Sequence, residues 1–363
     1  MRHTDKNEKI NHVIFVTISM TGGGTERVIA NLANHYVGIG VKTTILMIGG
    51  DDIAYELDDR VDIRCLSGRT GGSLSGRLGR IKAMRGAFKE EDGAVIIAMG
   101  TVASMFAVLA NTGLKKRVIV SERNDPNRLN HRPIKSYEKM LRNMLYLRAD
   151  KLVCQTPDAM ESFPKCIRNK AVIIMNPLNE TGVVSKAGYQ REKIVMTAGR
   201  LTAQKNHKLL IDAFAKFAKA YPEYRLEIYG KGDMEEELRE YIGDRNLSHC
   251  IKMCGFTDAL GDRLSEAMMY VSSSDWEGIS NSLMEALSSG IAVIATDCPM
   301  GGSRMLIEDG VNGRLVPVNN VDKLAEAMES LADSSSLWDK VSANAVRIRD
   351  IAAVDEIAKQ WLA

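Results

Sequence analysis

The sequence has no closely spaced cysteine pair, no long apolar run and almost no net charge. Its six cysteines (positions 65, 154, 166, 250, 254 and 298) form no Cys-x-x-Cys pair. A zinc site at Cys250 and Cys254 would need two further ligands, and His249 is the one candidate close in sequence. We therefore expect reduced thiols, as in a cytosolic protein, with no bound metal and no cofactor.

The sequence gives little reason to expect a membrane-spanning, secreted or nucleic-acid-binding protein. Residues 1–9 are polar and charged, so we expect no secretion signal. The longest uncharged run, 94–111, is split by Gly100 and Thr101, and a spanning helix needs about 20 apolar residues. The formal net charge is only +2, which gives no reason to expect nucleic acid as a partner. These absences predict a cytoplasmic protein.

What the chain does have is the pattern of two α/β domains. It contains 363 residues, of which 45% are hydrophobic and 26% charged, a globular composition long enough for two cores. Short apolar runs alternate with amphipathic stretches, which is typical of parallel, doubly wound sheets. We predict an N-terminal domain over 1–180, a C-terminal domain over 181–345 and a C-terminal helix over 346–363 that packs back on the first domain. Ligands of such sheets bind where the strands end, so we expect a cleft lined by both sheets.

The strongest candidate site is an eleven-residue segment that follows a predicted strand, Trp276-Glu277-Gly278-Ile279-Ser280-Asn281-Ser282-Leu283-Met284-Glu285-Ala286. A strand, a glycine-containing loop and a helix N-terminus present backbone N–H groups to an anion or a hydroxyl group. Ser280 or Asn281 suits the N-cap position, with Glu285 about one turn inside the helix. Glu277 and Glu285 would then bracket one ligand. Alternatively, Glu285 only supports the helix and Glu277 is solvated.

Two further glycine-containing segments follow predicted strands. In Gly199-Arg200-Leu201-Thr202-Ala203-Gln204-Lys205, two cations project near a strand end, where a diphosphate would find a bidentate and a point-charge partner. The alternative is a surface loop with two ordinary basic residues. In Tyr229-Gly230-Lys231-Gly232-Asp233, the glycines are also explained by the geometry of entry into a helix.

These segments together resemble the retaining glycosyltransferases of family 4. Glu277 to Glu285 is similar to the E-x7-E signature of that family, Arg200 to Lys205 is similar to its phosphate clamp, and 290–317 looks like the strand, glycine turn and hairpin that follow. The resemblance covers nearly the whole chain, and its specific motifs lie mainly in 199–317. It implies the GT-B fold, with two Rossmann-like domains facing a cleft.

The resemblance also implies roles for single residues. Arg200 and Lys205 would stabilise the departing diphosphate, Glu285 would bind ribose hydroxyls, and Glu277 would face the sugar. The donor site would further contain Gly278, Ile279, Ser280, Asn281, Ser282, Gly230, Gly232, Phe256, Gly23 and Gly24. The acceptor side would contain Glu26, Glu122, Arg123 and Asn124.

Two N-terminal segments carry the acceptor-side prediction. The loop Gly22-Gly23-Gly24 lacks the later glycine of a dinucleotide fingerprint, because position 27 is arginine, so NAD is not expected. Residues 121–126, Ser-Glu-Arg-Asn-Asp-Pro, resemble the branch of the family that builds bacterial polysaccharides and lipid-linked oligosaccharides. Many members carry a histidine near this place, whereas this chain has His131 further on. The alternative for 121–126 is a polar turn.

A basic stretch in the first domain raises the question of a membrane surface. Residues Arg64 to Lys89 include seven basic residues and no acidic one, and Leu78, Ile81 and Phe88 share one helical face. One interpretation is peripheral binding to an anionic membrane on its cytoplasmic side. The other is a helix packed on its own sheet with a solvated basic face.

The sequence therefore predicts a hexosyltransferase. By the resemblance, it would move a hexose or N-acetylhexosamine from a nucleotide diphosphate sugar, UDP-linked, to a glycan or polyprenyl-diphosphate-linked acceptor, with retention and without a metal. Two alternatives stay open at this point, a nucleotide-sugar epimerase of the same fold and a non-catalytic sugar-nucleotide-binding subunit.

Overall fold

The computed structural model describes residues 10–66, 74–129, 132–178, 191–257 and 259–363. Contacts between residues divide the chain into two units, each described separately below. Unit 1 contains 1–177 and 354–363, and unit 2 contains 178–353. His131, most of the linker predicted after Pro177 and part of the basic stretch 64–89 lie outside the described residues.

Unit 1 alternates strands and helices along the chain. Its strands are β1 His12–Thr17, β2 Lys42–Met47, β3 Asp62–Cys65, β4 Val95–Met99, β5 Val118–Ser121, β6 Arg128–Leu129, β7 Arg132–Pro133, β8 Lys151–Cys154 and β9 Ala171–Ile173. Its helices are α1 Gly24–Gly38, α2 Leu74–Glu90, α3 Thr101–Ala110, α4 Ser136–Tyr146, α5 Pro157–Glu161 and α6 Lys165–Arg168.

Seven of these strands form one parallel sheet in the order β3-β2-β1-β4-β5-β8-β9. The central strands β1 and β4 are buried along their whole length, as expected for a sheet covered by helices on both faces. The strand order reverses between β1 and β4, so the loops that follow these two strands diverge to opposite faces. A crevice at the strand ends results, and in open α/β sheets this is the usual ligand position.

Unit 2 repeats this plan. Its strands are β10 Glu192–Ala198, β11 Arg225–Tyr229, β12 Ile251–Gly255, β13 Ala267–Ser272, β14 Ala292–Thr296 and β15 Arg314–Val316. A 3-10 turn covers Ala203–Lys205, and the α-helices are α7 His207–Ala220, α8 Glu235–Asp244, α9 Leu260–Glu266, α10 Asn281–Ser288, α11 Gly302–Leu306, α12 Val321–Asp333, α13 Ser335–Ala345 and α14 Ile348–Ile351.

The sheet of unit 2 has six parallel strands in the order β12-β11-β10-β13-β14-β15, and its order reverses between β10 and β13. Helix α7 packs Leu210, Phe214 and Phe217 into the core beneath it, as its periodicity predicts. The two doubly wound α/β sheets confirm the predicted fold class.

The last helix of the chain, α15 Val354–Leu362, belongs to unit 1. Trp361 is fully buried in the core of that unit, and the Tyr36 hydroxyl donates to the Ala358 carbonyl at 2.9 Å. Residues 346–353 belong instead to unit 2, where Arg349 donates through Nε to the Ser288 carbonyl at 2.8 Å. The segment that returns to unit 1 is therefore shorter than the predicted 346–363.

Candidate functional site

The candidate site of unit 2 lies where its strand order reverses. The loop after β10 carries Arg200 and Lys205, and the loop after β13 carries Glu277 and leads into α10. Residues that are about 70 positions apart in sequence thus reach the same sheet edge, because neighbouring parallel strands end together.

Several hydrogen bonds join these two loops, among them that of the Asp275 N–H to the Gln204 carbonyl at 2.9 Å. Gln204 donates through Nε2 to the Trp276 carbonyl at 2.9 Å, and the Ser273 hydroxyl donates to the Lys205 carbonyl at 2.9 Å. Asn206, which caps α7 by accepting from Leu209 N–H, also donates to Asp275 Oδ1 at 2.7 Å. These hydrogen bonds hold the two loops together without using the side chains of Lys205 and Glu277.

Lys205 and Glu277 form an ion pair. Lys205 Nζ lies 2.5 Å from Glu277 Oε2, and the two side chains are 16% and 15% exposed. The Ser274 hydroxyl lies 3.3 Å from the same carboxylate oxygen. A cation and an anion, both still reachable from solvent, thus stand together at the strand ends.

Arg200 occupies the outer position of this group. It follows Gly199, over which the Lys205 side chain packs so closely that an added Cβ would lie 3.2 Å from Lys205 Cε. Arg200 is exposed, and within the described part of the chain its guanidinium has no hydrogen-bond or ion-pair partner. Its five donors remain available to a ligand.

Helix α10 begins as predicted, with Ser280 as its N-cap. The Ser280 hydroxyl accepts from Leu283 N–H at 3.4 Å, and Glu285 lies in the second turn, half-buried. Tyr270 beneath the helix donates to the Ala198 carbonyl at 3.1 Å and lies 2.9 Å from Ser282 Oγ. Burial raises the pKa of Tyr270, and the negative charges of Glu285 and Glu277 raise it further, which places both carboxylates near this ring.

Close packing explains why positions 230 and 232 are glycine, which the sequence alone did not show. A Cβ on Gly230, whose φ is +141°, would lie 1.8 Å from the Gly199 carbonyl oxygen, and one on Gly232 would lie 2.3 Å from the Leu201 carbonyl oxygen. Gly302 is similarly tight, because its Cβ would lie 1.6 Å from the Gly278 carbonyl oxygen. These glycines let neighbouring loops touch at the strand ends, whatever their role toward a ligand.

Phe256 follows the edge strand β12. Its ring is 65% exposed, and the Gly255 carbonyl before it accepts from Gly230 N–H at 2.8 Å. The structure thus links the segment of Phe256 to the Gly230 turn, and through it to the loop of Arg200.

Sequence reasoning missed two buried groups beside the ion pair. The His207 imidazole is buried directly after the loop, and burial together with the nearby Lys205 charge lowers its pKa to about 4. Burial and the Glu277 charge raise the pKa of the Cys298 thiol to about 12. Both residues lie in or next to the segments that carry the resemblance, but no role was predicted for them, because their burial beside Lys205 and Glu277 depends on contacts that the sequence does not show.

In unit 1, the glycine loop and the segment after β5 come together. An added Cβ on Gly23 would lie 2.4 Å from Glu26 Oε2, and Tyr55 donates to the Gly23 carbonyl at 2.9 Å. Gly24 begins α1 at this point. Arg123 donates to Asn176, and burial lowers its pKa to about 10 while the Glu26 charge opposes that change.

Glu122 does not lie where the acceptor-side prediction placed it. Its side chain is 3% exposed and accepts hydrogen bonds from Tyr146 at 2.5 Å and Thr101 at 2.8 Å. Burial raises its pKa, although the nearby Arg142 charge opposes this. Glu122 is part of a buried polar cluster that holds α3 and α4 to β5. Asn124 accepts from Asp125 N–H at 2.9 Å and shapes the following turn.

Neither a membrane-spanning helix nor a cluster of metal ligands occurs among the described residues. No helix among them is long and apolar enough to cross a bilayer. No three His, Cys, Asp or Glu side chains in the described ranges lie together as metal ligands.

Comparison with known families finds matches in both units. Residues 22–181 match the model of glycosyltransferase family 4, and residues 184–347 match the model of glycosyl transferases group 1. An uncharacterized glycosyltransferase of Haemophilus influenzae is 23% identical over 342 residues, covering 94% of this chain and 96% of that protein.

Two better-described proteins are also similar over nearly their whole length. The GalNAc-alpha-(1->4)-GalNAc-alpha-(1->3)-diNAcBac-PP-undecaprenol alpha-1,4-N-acetyl-D-galactosaminyltransferase of Campylobacter jejuni is 24% identical over 360 residues, covering 96% of this chain and 97% of that protein. The crystal structure of Anabaena HepE in complex with UDP and glucose has a TM-score of 0.84 at 18% identity and covers 98% of each chain, a likeness that shows the fold.

Proposed function

We propose that this chain, which belongs to the family 4 and group 1 glycosyltransferases, transfers a hexose or N-acetylhexosamine from a UDP-linked donor to a glycan or lipid-linked acceptor. The UDP donor is supported by the likeness to HepE, whose crystal structure contains UDP and glucose. The lipid-linked acceptor is supported by the Campylobacter jejuni relative, whose name specifies a PP-undecaprenol-linked glycan.

The observation that carries the proposal is the group of opposite charges at the strand ends of unit 2. Lys205 and Arg200 are cations on one loop, and Glu277 is an anion on the next, 2.5 Å from Lys205. A nucleotide diphosphate sugar has matching parts, since its diphosphate is anionic and its sugar carries hydroxyl donors. We assign the diphosphate to the two cations, the sugar to Glu277 and the 278–282 backbone, and the ribose to Glu285.

The reaction we propose is a front-face substitution that retains configuration. The acceptor oxygen bonds to the anomeric carbon while the bond from that carbon to the phosphate oxygen breaks, and the leaving phosphate takes the acceptor proton. Negative charge grows on the diphosphate, where Arg200 and Lys205 stabilise it without a metal ion. Glu277 stabilises the positive charge that develops on the sugar ring.

The acceptor would bind through unit 1. Glu26 and Arg123 are charged residues near the glycine loop Gly23-Gly24 of this unit, and we assign this group to the acceptor and to the phosphates of the donor. Glu122 is left out of this assignment, because its carboxylate is buried and already bonded.

Removal of either partner of the ion pair tests the donor assignment. Lys205→Ala and Glu277→Ala should each lower kcat/KM for sugar transfer by about 10-fold or more, since contacts made to the transition state are lost. The assay follows UDP release and glycosylated product from a panel of UDP sugars, with EDTA present to test metal independence.

The chain offers a matched control pair, Lys193 and Glu223, whose charged atoms lie 2.7 Å apart on the surface of the same unit. Lys193→Ala and Glu223→Ala should leave kcat/KM within about twofold. Rates within threefold of the unaltered enzyme for the Lys205 and Glu277 variants would refute the donor site. Donor epimerised in the absence of acceptor would indicate an epimerase instead.

A further inference from the structure

Helix α4 in unit 1 has an apolar face turned to solvent. Four large side chains of the helix and that of its C-cap residue Leu147 are between 46% and 62% exposed. The four in the helix are Tyr137, Met140, Leu141 and Met144. At about 100° per residue these five positions fall within an arc of about 120°, a continuous stripe. Isolated exposed apolar residues are common, but a contiguous stripe on a helix marks an interaction surface.

This stripe is not the side by which α4 packs on its own unit. The helix is anchored through its other face, where Arg142, Leu145 and Tyr146 are buried and the Arg142 guanidinium stacks 4.5 Å from the Phe163 ring. The apolar stripe is therefore additional to the core contact and has no role in holding α4 in place.

A shallow groove of about 430 Å³ continues the stripe onto the neighbouring segment 164–167. Met140, Met144 and Leu147 form one wall, and Pro164 and Ile167 form the other. No acidic residue lines this groove. Four basic residues belong to this part of the surface, and we call them the basic rim. Lys139 lines the groove, and Lys135, Arg148 and Lys165 are each next in sequence to a residue that lines it. Among the described residues Lys139, Arg148 and Lys165 have no acidic partner, whereas the backbone N–H of Lys135 donates to the Glu138 carboxylate at 2.9 Å.

The basic helix α2, predicted from sequence as a membrane element, lacks such a stripe. Its Phe88 and Met84 are buried in unit 1, and Arg85 donates to the Ala110 carbonyl at 3.0 Å. Leu78 is the one large apolar side chain of the described part of α2 that is mostly exposed. Arg64, at the start of the basic stretch, pairs with Asp62 and Glu91.

We propose that the α4 stripe and its basic rim dock unit 1 on an anionic lipid bilayer. Apolar side chains would enter the boundary between headgroups and acyl chains while lysine and arginine side chains reach lipid phosphates, the arrangement of helices that lie in a membrane interface. The charges favour lipid over a second copy of this chain, because a symmetric contact would bring two basic rims together. This inference does not depend on the transfer reaction, since it requires neither donor nor acceptor.

Co-sedimentation of the full chain with vesicles tests the proposal. Vesicles of phosphatidylcholine with about one-third phosphatidylglycerol should bind the protein, pure phosphatidylcholine should bind it about 10-fold more weakly, and added salt should weaken binding further. Met140→Ser with Met144→Ser should lower the bound fraction about 10-fold or more, because each removes exposed apolar surface that would be buried in lipid. Lys135→Glu with Lys165→Glu should do the same through charge.

The matched controls lie elsewhere on the surface. Leu78→Ser on α2 and Ile351→Ser in unit 2 also remove exposed apolar side chains, and both should leave vesicle binding within about twofold. A Met144→Trp variant should shift its fluorescence to the blue and be quenched by brominated lipids, which ionic adsorption alone would not produce. All the substituted side chains are exposed, so the variants should fold, and circular dichroism checks this.

Vesicle binding that is unchanged by the Met140 and Met144 substitutions would overturn the proposal. So would a dimer, measured by analytical ultracentrifugation, that these substitutions dissociate, since the stripe would then bind a second copy. Binding is measured without substrate. A failure of sugar transfer with normal vesicle binding would therefore count against the proposed function and not against the docking surface.

Discussion

His207 begins α7 directly behind the loop that carries Lys205, and its imidazole ring is buried. Burial and the positive charge of Lys205 lower its pKa to about 4. The ring is therefore neutral at neutral pH and adds no third cation to the donor site. A charged imidazole here would compete with Lys205 for the same anions and would have to be desolvated.

This buried histidine predicts how the stability of unit 2 depends on pH. The folded pKa lies below the unfolded value of about 6.5, so between these values the unfolded chain binds more protons and the free energy of unfolding falls with falling pH. His207 should account for a loss of about 2 kcal/mol between pH 7 and pH 5. Urea unfolding at both pH values, for the unaltered chain and for His207→Gln, measures it.

The exposed His249 of the same unit provides the control. In His249→Gln the free energy of unfolding should change between pH 7 and pH 5 as in the unaltered chain. In His207→Gln that change should be smaller by about 2 kcal/mol. An equal dependence on pH in the unaltered chain and in His207→Gln would show that the imidazole is not held neutral by the fold.

Single site residues could be predicted from sequence where a motif names them, but not where a distant partner decides their state. Motifs at strand ends single out Arg200, Lys205 and Glu277. The bonds from Gln204 to Trp276 and from Ser273 to Lys205, which tie their loops together, join residues far apart in sequence and could not be predicted. The prediction that Glu122 lies on the acceptor side failed to foresee its burial, because that burial also depends on a distant partner. A carboxylate after a strand normally faces solvent, and its burial depends on Tyr146, 24 positions later.

At the scale of elements, the turns at the strand ends of unit 2 are held in contact by glycine. Gly230 N–H donates to the Gly255 carbonyl at 2.8 Å, and Gly199 N–H donates to the Tyr229 carbonyl at 3.0 Å. Three successive strand ends, those of β10, β11 and β12, are thereby joined. The proposed donor site would depend on this contact, because it holds the loop that begins with Arg200.

Gly230→Ala should break that contact. Its Cβ would overlap the Gly199 carbonyl oxygen at 1.8 Å, and its φ of +141° is one that alanine rarely adopts. We expect a loss of at least about 2 kcal/mol in the free energy of unfolding, together with a weaker thermal shift on addition of UDP. Differential scanning fluorimetry with and without UDP measures both effects.

Gly243 in α8 is the matched control, since nothing lies within 4 Å of an added Cβ. Gly243→Ala should be neutral or should stabilise the protein by up to about 1 kcal/mol, because alanine is the better helix former. Equal behaviour of the two variants would mean that the strand-end turns are not in tight contact.

The sequence predicts the strands of the two parallel sheets within one or two residues, because buried parallel strands are short apolar runs with clear ends. The runs Lys151–Cys154, Arg225–Tyr229 and Arg314–Val316, for example, coincide with β8, β11 and β15. The short strands β6 and β7 were not predicted. Helix ends were less certain. The sequence pattern predicts one helix from Pro157 to Lys165, but the structure has two short helices here. Pro164 lacks the N–H that would continue the first helix and instead caps the second. The pattern also predicts a helix from Pro133 to Arg148. In the structure this helix begins at Ser136, since Pro133 pairs with Arg128 in a small hairpin.

At the scale of the whole molecule, the chain ends in the unit in which it began. α15 contributes Ile357, Ala358 and Trp361 to the core of unit 1, next to α1 and β1. Sequence order alone could suggest that a tail helix returns, but the position of the crossing, between Ala353 and Val354, depends on which residues bury against which core.

Trp361→Ala should therefore destabilise unit 1, although the residue is about 180 positions from the rest of that unit in sequence. Loss of a fully buried tryptophan usually costs about 3–5 kcal/mol. Hydrogen exchange followed by mass spectrometry should show reduced protection in β1 and α1, and a smaller change in β10.

Trp338 gives the opposite test in unit 2, where its indole donates to the Met268 carbonyl at 2.9 Å and stacks 5.5 Å from the Arg191 guanidinium. Trp338→Ala should reduce protection mainly in β13, which contains Met268, and leave β1 protected. The two tryptophans lie 23 positions apart in the tail of the chain. If both variants lowered protection in the same unit, the tail would not cross between Ala353 and Val354. Loss of protection in unit 1 for Trp361→Ala and in unit 2 for Trp338→Ala is expected only if α13 and α15 belong to different cores.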